Sequence, residues 1–229
     1  MSTVPHVRGL LLAAGAGRRM GGPKALVRRS PDEPTLVERG VEVLHAGGCR
    51  GVTVVVGAAG EEVAAIVDRL GHDVDVVRCP DWHEGMGASL RAGLGALART
   101  AHESDAGIDA VLVSLVDLPD LTPEVVARVL AERGGGEGRG AEGGEPDPAA
   151  DARAVRDRRR SVLRRASFHG RPGHPALIGR AHWEGVVATA TGDNGARNHF
   201  RNHPHELVEC GDLATGRDVD TPAELDAST

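Results

Sequence analysis

Between Leu10 and Lys24 the chain reads Leu-Leu-Leu-Ala-Ala-Gly-Ala-Gly-Arg-Arg-Met-Gly-Gly-Pro-Lys, an apolar run that gives way to small residues, then glycines, then cations. Glycines let backbone N–H groups approach an anion closely, and the arginine and lysine side chains offset charge that backbone dipoles alone could not hold. This is a phosphate-binding loop in outline, and a nucleotide is the ligand to consider first. Two common phosphate loops do not fit. A dinucleotide fingerprint needs a third small residue where Met20 stands, and an acid about 20 residues on at the end of the next strand. That strand, Gly51 to Val56, runs into Gly57-Ala58-Ala59. A P-loop needs Lys where Pro23 follows Gly22.

The segment from Leu12 to Lys24 instead resembles the signature of the MobA-like nucleotidyltransferases, Leu-Ala-Ala-Gly-x-Gly-x-Arg-Met-Gly-x-x-Lys. The resemblance implies that Leu12, Ala13, Ala14, Gly15 and Gly17 form the nucleotide loop. It makes Arg19 and Lys24 the cations that hold the triphosphate. Arg18 stands where the family varies. In relatives Leu-Ala-Ala-Gly goes with cytidine nucleotides and Leu-Ala-Gly-Gly with guanine nucleotides, so Ala14 points to CTP.

Transfer of a nucleotidyl group needs an electrophilic α-phosphate, an aligned nucleophile and a neutralised pyrophosphate leaving group, for which magnesium is the usual ion. Carboxylates for it belong at the C-terminal ends of strands. Asp117, in Leu115-Val116-Asp117-Leu118-Pro119, follows the most apolar strand of the chain and resembles the family's Asp-Met-Pro metal element, with Leu118 in place of Met. A turn aspartate before proline is the plain alternative. Asp220, in Asp218-Val219-Asp220-Thr221-Pro222, resembles the acid that completes the family's metal site; helix capping is its ordinary alternative.

Three further stretches extend the resemblance. Gly85-Met86-Gly87-Ala88-Ser89-Leu90-Arg91 opens a helix and resembles the base-contacting loop of the molybdenum cofactor cytidylyltransferase branch, which assigns Gly85, Met86, Gly87 and Ser89 to the nucleotide. Small residues there let a base approach the backbone, while Ser89 can also serve as a mere cap. Gly170-Arg171-Pro172-Gly173-His174-Pro175 and Gly192-Asp193-Asn194-Gly195-Ala196-Arg197 match stretches that line the acceptor side in related enzymes, implicating Gly173, His174, Pro175, Asp193 and Arg197. His174 could orient a substrate, act as a base or be structural. Free N–H groups at a helix start near Asp193 and the Arg197 fork suit a phosphate. His199, His203 and His205 offer no ligand spacing.

The elements that must position these residues alternate. Strands are expected at Val7 to Ala13, Gly51 to Val56, Val74 to Val77 and Ala110 to Leu115, and helices at Thr35 to Ala46, Glu61 to Leu70, Gly87 to Ala98 and Thr122 to Ala131. Ser161 to Phe168, Pro175 to Ile178 and His205 to Cys210 read as extended, with helices at Ala181 to Ala188, Asp193 to Asn202 and Thr221 to Leu225. Near-continuous Val/Leu strands between amphipathic helices indicate a mostly parallel sheet covered on both faces, a Rossmann-like three-layer α/β/α sandwich. The resemblance implies the nucleotide-diphospho-sugar transferase version of it. Residues 134–160, rich in Gly, Glu, Pro, Asp and Arg, read as a disordered insertion in one domain of 229 residues. The arginines at 156, 158–160 and 164–165 could touch an anion, but read as solvated charge.

Composition limits the partners. With two Phe, two Trp, no Tyr and a net charge of -6, the chain has neither stacking platforms nor spare cations for nucleic acid. Three scattered cysteines suit free thiols in a reducing compartment, and no run of about 18 apolar residues suggests a membrane span. A cytoplasmic location is expected. The resemblance implies a magnesium-dependent transferase moving CMP from CTP to a phosphorylated acceptor such as molybdopterin, with a molybdenum hydroxylase as an eventual partner. It leaves two rivals: an NAD(P)H-dependent oxidoreductase of the nicotine blue oxidoreductase branch, and a non-catalytic molybdenum cofactor chaperone.

Overall fold

The computed structural model describes residues 6–71, 73–103, 107–131 and 148–228. Its central strand, β1 (Val7–Ala13), is buried at every position and pairs in parallel with β2 (Val52–Val56) on one side and β4 (Ala110–Leu115) on the other. Strands covered on both faces have no reason to alternate, which is why these read as unbroken apolar runs. With β3 (Val74–Arg78), β5 (Leu163–Phe168), β6 (Arg171–Gly179) and β7 (Glu206–Glu209), they form a seven-stranded sheet in the order β3-β2-β1-β4-β6-β5-β7. Only β6 runs against its neighbours β4 and β5.

Leu11 and Ala13 project to one face, where α1 (Leu36–Ala46), α2 (Gly60–Val67) and α4 (Pro123–Leu130) bury Val37, Val41, Leu44, Val63, Val125 and Val126. Leu10 and Leu12 project to the other, against Leu90 and Leu94 of α3 (Met86–Glu103), Val186 of α6 (Trp183–Thr189) and Phe200 of α7 (Arg197–Asn202). The three-layer expectation holds. Helix starts follow their capping chemistry: Thr35 with Glu38 at α1 and Thr221 with Glu224 at α8 (Pro222–Asp226) each form a capping box, and Thr122 caps α4 with Pro123 behind it.

Three expectations need correction. The segment expected to be disordered over 134–160 is, from Pro148 to Arg160, the helix α5; residues 134–147 lie outside the described residues. Polarity misled there, because Ala and Arg form helices well without burial, and Asp151 near the start and Arg158 to Arg160 at the end suit the helix dipole. Arg156 and Arg160 also reach the buried Asp109, at 3.5 and 3.3 Å. The single helix expected over Asp193 to Asn202 is split into a 3-10 turn, Gly192–Asn194, and α7, because Gly195 has φ 49. Finally, β6 begins earlier than Pro175, since His169 and Gly170 (φ 52 and 76) form the two-residue turn that folds Arg171 back onto Phe168. No helix of the described residues is long and apolar enough to cross a membrane.

Candidate active site

The loop after β1 turns at Gly17, where φ is 56 and a Cβ would lie 2.0 Å from the Gly22 carbonyl oxygen. Only glycine fits there. The Gly17 carbonyl accepts from the Met20 and Gly22 amides, and the buried Met20 side chain anchors the short 3-10 turn Arg18–Met20 in the core. A second 3-10 turn, Lys24–Leu26, then directs Lys24 back across the end of the sheet.

Its ammonium meets two acids. Lys24 Nζ lies 2.6 Å from Asp117 Oδ2 and 2.7 Å from Asp220 Oδ1. Arg19, largely exposed, reaches the other oxygen of Asp220 at 2.8 Å. Asp117 is placed by the end of β4, and its carbonyl accepts from the Val219 amide at 2.9 Å, which lays the C-terminal tail beside it. Arg39 of α1 grips the Asp117 loop through the Pro119 carbonyl at 2.8 Å, and Asp120 accepts from the Thr215 amide at 2.6 Å.

Asp220 is not the cap of α8. Thr221 caps α8, and Glu224 accepts from the backbone amides of Asp220 and Thr221, so the Asp220 carboxylate is free for the cleft. One oxygen each from Asp117, Asp218 and Asp220 lie within 4.8 Å of one another. Asp117 Oδ1 is buried without a hydrogen-bond partner. An all-oxygen donor set with a buried lone pair to spare is what a hard divalent cation takes.

Electrostatics follow the packing. Burial opposes the charge on Lys24, but Asp117 and Asp220 outweigh it and raise its pKa. The Lys24 hydrogen bond, aided by Arg19, holds Asp220 below the ordinary carboxylate range, whereas burial lifts Asp117 above it.

Leu12, Ala14, Gly15, Lys24, Met86, Ser89 and Asp117 line one cleft of about 140 Å³. Ala13 is buried beneath it, and Arg19 stands at its rim. Gly85 and Gly87 also meet a packing need. A Cβ on Gly85 would lie 2.6 Å from Asp193 Oδ1, and one on Gly87 2.8 Å from the Thr191 amide nitrogen. These glycines admit the close approach of residues 190–193.

A second cavity, about 70 Å³, gathers His174, Asp193 and Arg197 with Arg165, Asn194 and Phe200, and shares Leu12 and Met86 with the first. Gly173 and Pro175 act from behind: the Gly173 carbonyl accepts two hydrogen bonds from Arg165, and Pro175 is buried. Burial, then the Arg165 guanidinium, push His174 down to about 4. His199 and His203 stack on each other 3.9 Å apart beside His182, away from both cavities.

Sequence reasoning missed Asp218 and Arg165. The signal for Asp218 was the Asp-Val-Asp alternation, which points Val219 into the core and both acids outward. The Arg164-Arg165 pair read as solvated charge is not: Arg164 pairs with Glu206 at 2.7 Å, and Arg165, on the opposite face of β5, lines the second cavity.

The MobA-like NTP transferase domain matches residues 9–207. The chain belongs to that family. It is an enzyme of nucleotidyltransferase type. Nicotine blue oxidoreductase from Paenarthrobacter nicotinovorans, a member of a MobA-like branch, is 37% identical over 225 residues, covering 97% of this chain and 96% of that one. The bifunctional IPC transferase and DIPP synthase from Rubrobacter xylanophilus is 40% identical over 124 residues, 52% of this chain and 26% of that protein. Among solved structures, a nucleotidyl transferase from Methanothermobacter superposes with a TM-score of 0.67 at 20% identity, covering 96% of this chain and 94% of the other. Rv0371c from Mycobacterium tuberculosis, crystallised with manganese, gives 0.62 at 24% identity over 98% of this chain and 100% of its own. The two solved structures share the fold of this chain.

Proposed function

We propose that this protein transfers CMP from CTP to a phosphorylated acceptor such as molybdopterin, with magnesium bound and pyrophosphate released. The observation that carries the reading is the convergence of Asp117 and Asp220 on one point beside Lys24 and Arg19, with Asp117 Oδ1 unsatisfied. Asp117 and Asp220, joined by Asp218, would hold the magnesium ion, which supplies charge stabilisation for the triphosphate. Lys24 and Arg19 neutralise the β- and γ-phosphates and the pyrophosphate as it leaves. An acceptor phosphate oxygen forms the new bond to the α-phosphorus while the bond to the bridging α–β oxygen breaks. Catalysis is positioning and charge stabilisation, so no general base is required.

The Ala-Ala-Gly loop supports cytidine as the base, and the second cavity supports an acceptor beside Met86. The setting is the cytoplasm, with a molybdenum hydroxylase as recipient of the product. The test is pyrophosphate release with each nucleoside triphosphate, magnesium and a phosphorylated acceptor such as molybdopterin, preceded by a thermal-shift screen of the triphosphates. Among the triphosphates only CTP should release pyrophosphate, and Asp117→Ala should lower that release roughly 10³-fold; a fall under ten-fold would end the proposal.

A second reading has one observation in its favour, the near full-length similarity to nicotine blue oxidoreductase. Under it the cleft would take a reduced nicotinamide cofactor, and NAD(P)H absorbance would fall in the presence of an oxidised substrate without pyrophosphate. A carrier without catalysis would bind CTP and release nothing. The intact acid pair and its cations favour the transferase, since hydride transfer needs no divalent ion.

A further inference from the structure

Arg165 is held in place without being neutralised. Its Nε and one Nη donate to the Gly173 carbonyl at 3.2 and 3.1 Å, and its guanidinium lies 5.3 Å from the centre of the Phe200 ring. Arg8, by contrast, has Asp73 and Asp75, and Arg164, the neighbour of Arg165 on β5, has Glu206. Among the described residues neither Arg165 nor Arg197 has a carboxylate within ion-pair distance. The two line one small cavity, where burial and then the Arg197 guanidinium disfavour the charge on Arg165. Asp193 lines the same cavity but forms no ion pair with either arginine, so two like charges share a partly desolvated space without a paired counter-ion, an arrangement that a bound anion relieves.

His174 completes the set. Its ring bonds to the Val113 backbone, and Nδ1 is buried with no partner. A neutral imidazole carries one N–H; with that proton on the Val113 carbonyl, Nδ1 is left as a bare acceptor. A buried acceptor without a donor is costly, and a ligand donor would satisfy it.

We infer that the second cavity is an oxyanion subsite in which Arg165 and Arg197 clamp one phosphate or carboxylate group of the acceptor while His174 Nδ1 accepts a hydrogen bond from the same molecule. This rests on placing the acceptor beside the nucleotide cleft. At about 70 Å³ the space is far below the roughly 300 Å³ that encloses a whole drug-sized ligand, so it seats one group. A guanidinium fork matches a planar or tetrahedral oxyanion better than an ammonium does. Leu12 and Met86 border both spaces, so a molecule anchored here extends toward Asp117.

The experiment titrates inorganic phosphate, and separately acetate, into the full chain by calorimetry with CTP and magnesium already present to fill the N-terminal loop. Arg165→Gln and Arg197→Gln should each weaken binding of the preferred anion about ten-fold, as expected for one charge-assisted contact. CTP affinity should stay within about two-fold, because neither side chain touches the loop. The stronger-binding anion identifies the group. Arg197 is exposed and bonds to no described residue, so its variant reports even if Arg165→Gln folds poorly. Unchanged affinity in Arg197→Gln, or loss of anion binding only in Lys24→Met, overturns the subsite. Should no nucleoside triphosphate bind while anion affinity still depends on Arg197, the transferase reading falls and the subsite stands.

Discussion

The two cavities share Leu12 and Met86 yet handle charge in opposite ways. In the cleft at the end of β1, each cation faces an acid: Lys24 bridges Asp117 and Asp220, and Arg19 takes the remaining oxygen of Asp220. In the second cavity the two arginines, among the described residues, form no ion pair, although Asp193 also lines it, and His174 keeps a bare nitrogen. A cleft whose charges already compensate one another is stable without a ligand and must exchange partners to bind one. A cavity whose cations face each other stays under-satisfied until an anion enters. The first is arranged for chemistry that redistributes charge, the second for holding a charged group still.

The largest effect should come from removing the acid at the centre of the compensated cleft. Asp117→Ala should lower CTP-dependent pyrophosphate release by roughly 10³-fold, as loss of a principal charge-stabilising group does, and a fall under ten-fold would remove Asp117 from the reaction. Next is Lys24→Met, which leaves two acids facing each other at the partly buried end of the sheet. Urea unfolding should show a loss of roughly 3 kcal/mol, the low end for a broken buried pair because both side chains keep some solvent. Equal stability in the variant would mean that the compensation contributes nothing.

Acid should sharpen the contrast. His174 titrates near 4 in the fold against an ordinary value of 6.5, so between those values the unfolded chain binds the proton first. Stability is therefore full above about pH 6.5 and declines as pH falls toward 4. The contribution is on the order of 2 kcal/mol after allowance for solvent. His199 acts in the same sense and Asp117 in the opposite one, so the readable quantity is the difference between the native chain and His174→Gln across that range. Identical pH profiles would place His174 outside the account. The smallest effect belongs to Arg197→Gln, which removes a cation with no acid partner. Its unfolding free energy should stay within about 0.5 kcal/mol of the parent, in contrast to Lys24→Met, and a large loss would reveal a compensating contact.

Much of this was legible before any coordinates. Val7 to Ala13 and Ala110 to Leu115 lie where the apolar runs put them, because parallel strands buried on both faces leave unbroken hydrophobic segments. The helix expected from Thr35 begins there, where Thr35 and Glu38 form a capping box. The helix α5 was illegible for the opposite reason: its residues bury little, so no periodic apolar stripe marked it.

For the site, the residue types and order along the chain determined that a glycine turn with cations and two distant acids exist, since those depend on local chemistry. Their convergence within 4.8 Å, the service of Gly85 and Gly87 to a neighbouring backbone, and the assignment of Arg164 to an acid and Arg165 to a cavity were decided by tertiary structure. Adjacent strand residues face opposite sides of a sheet, and which side meets a partner depends on what packs there from elsewhere in the chain.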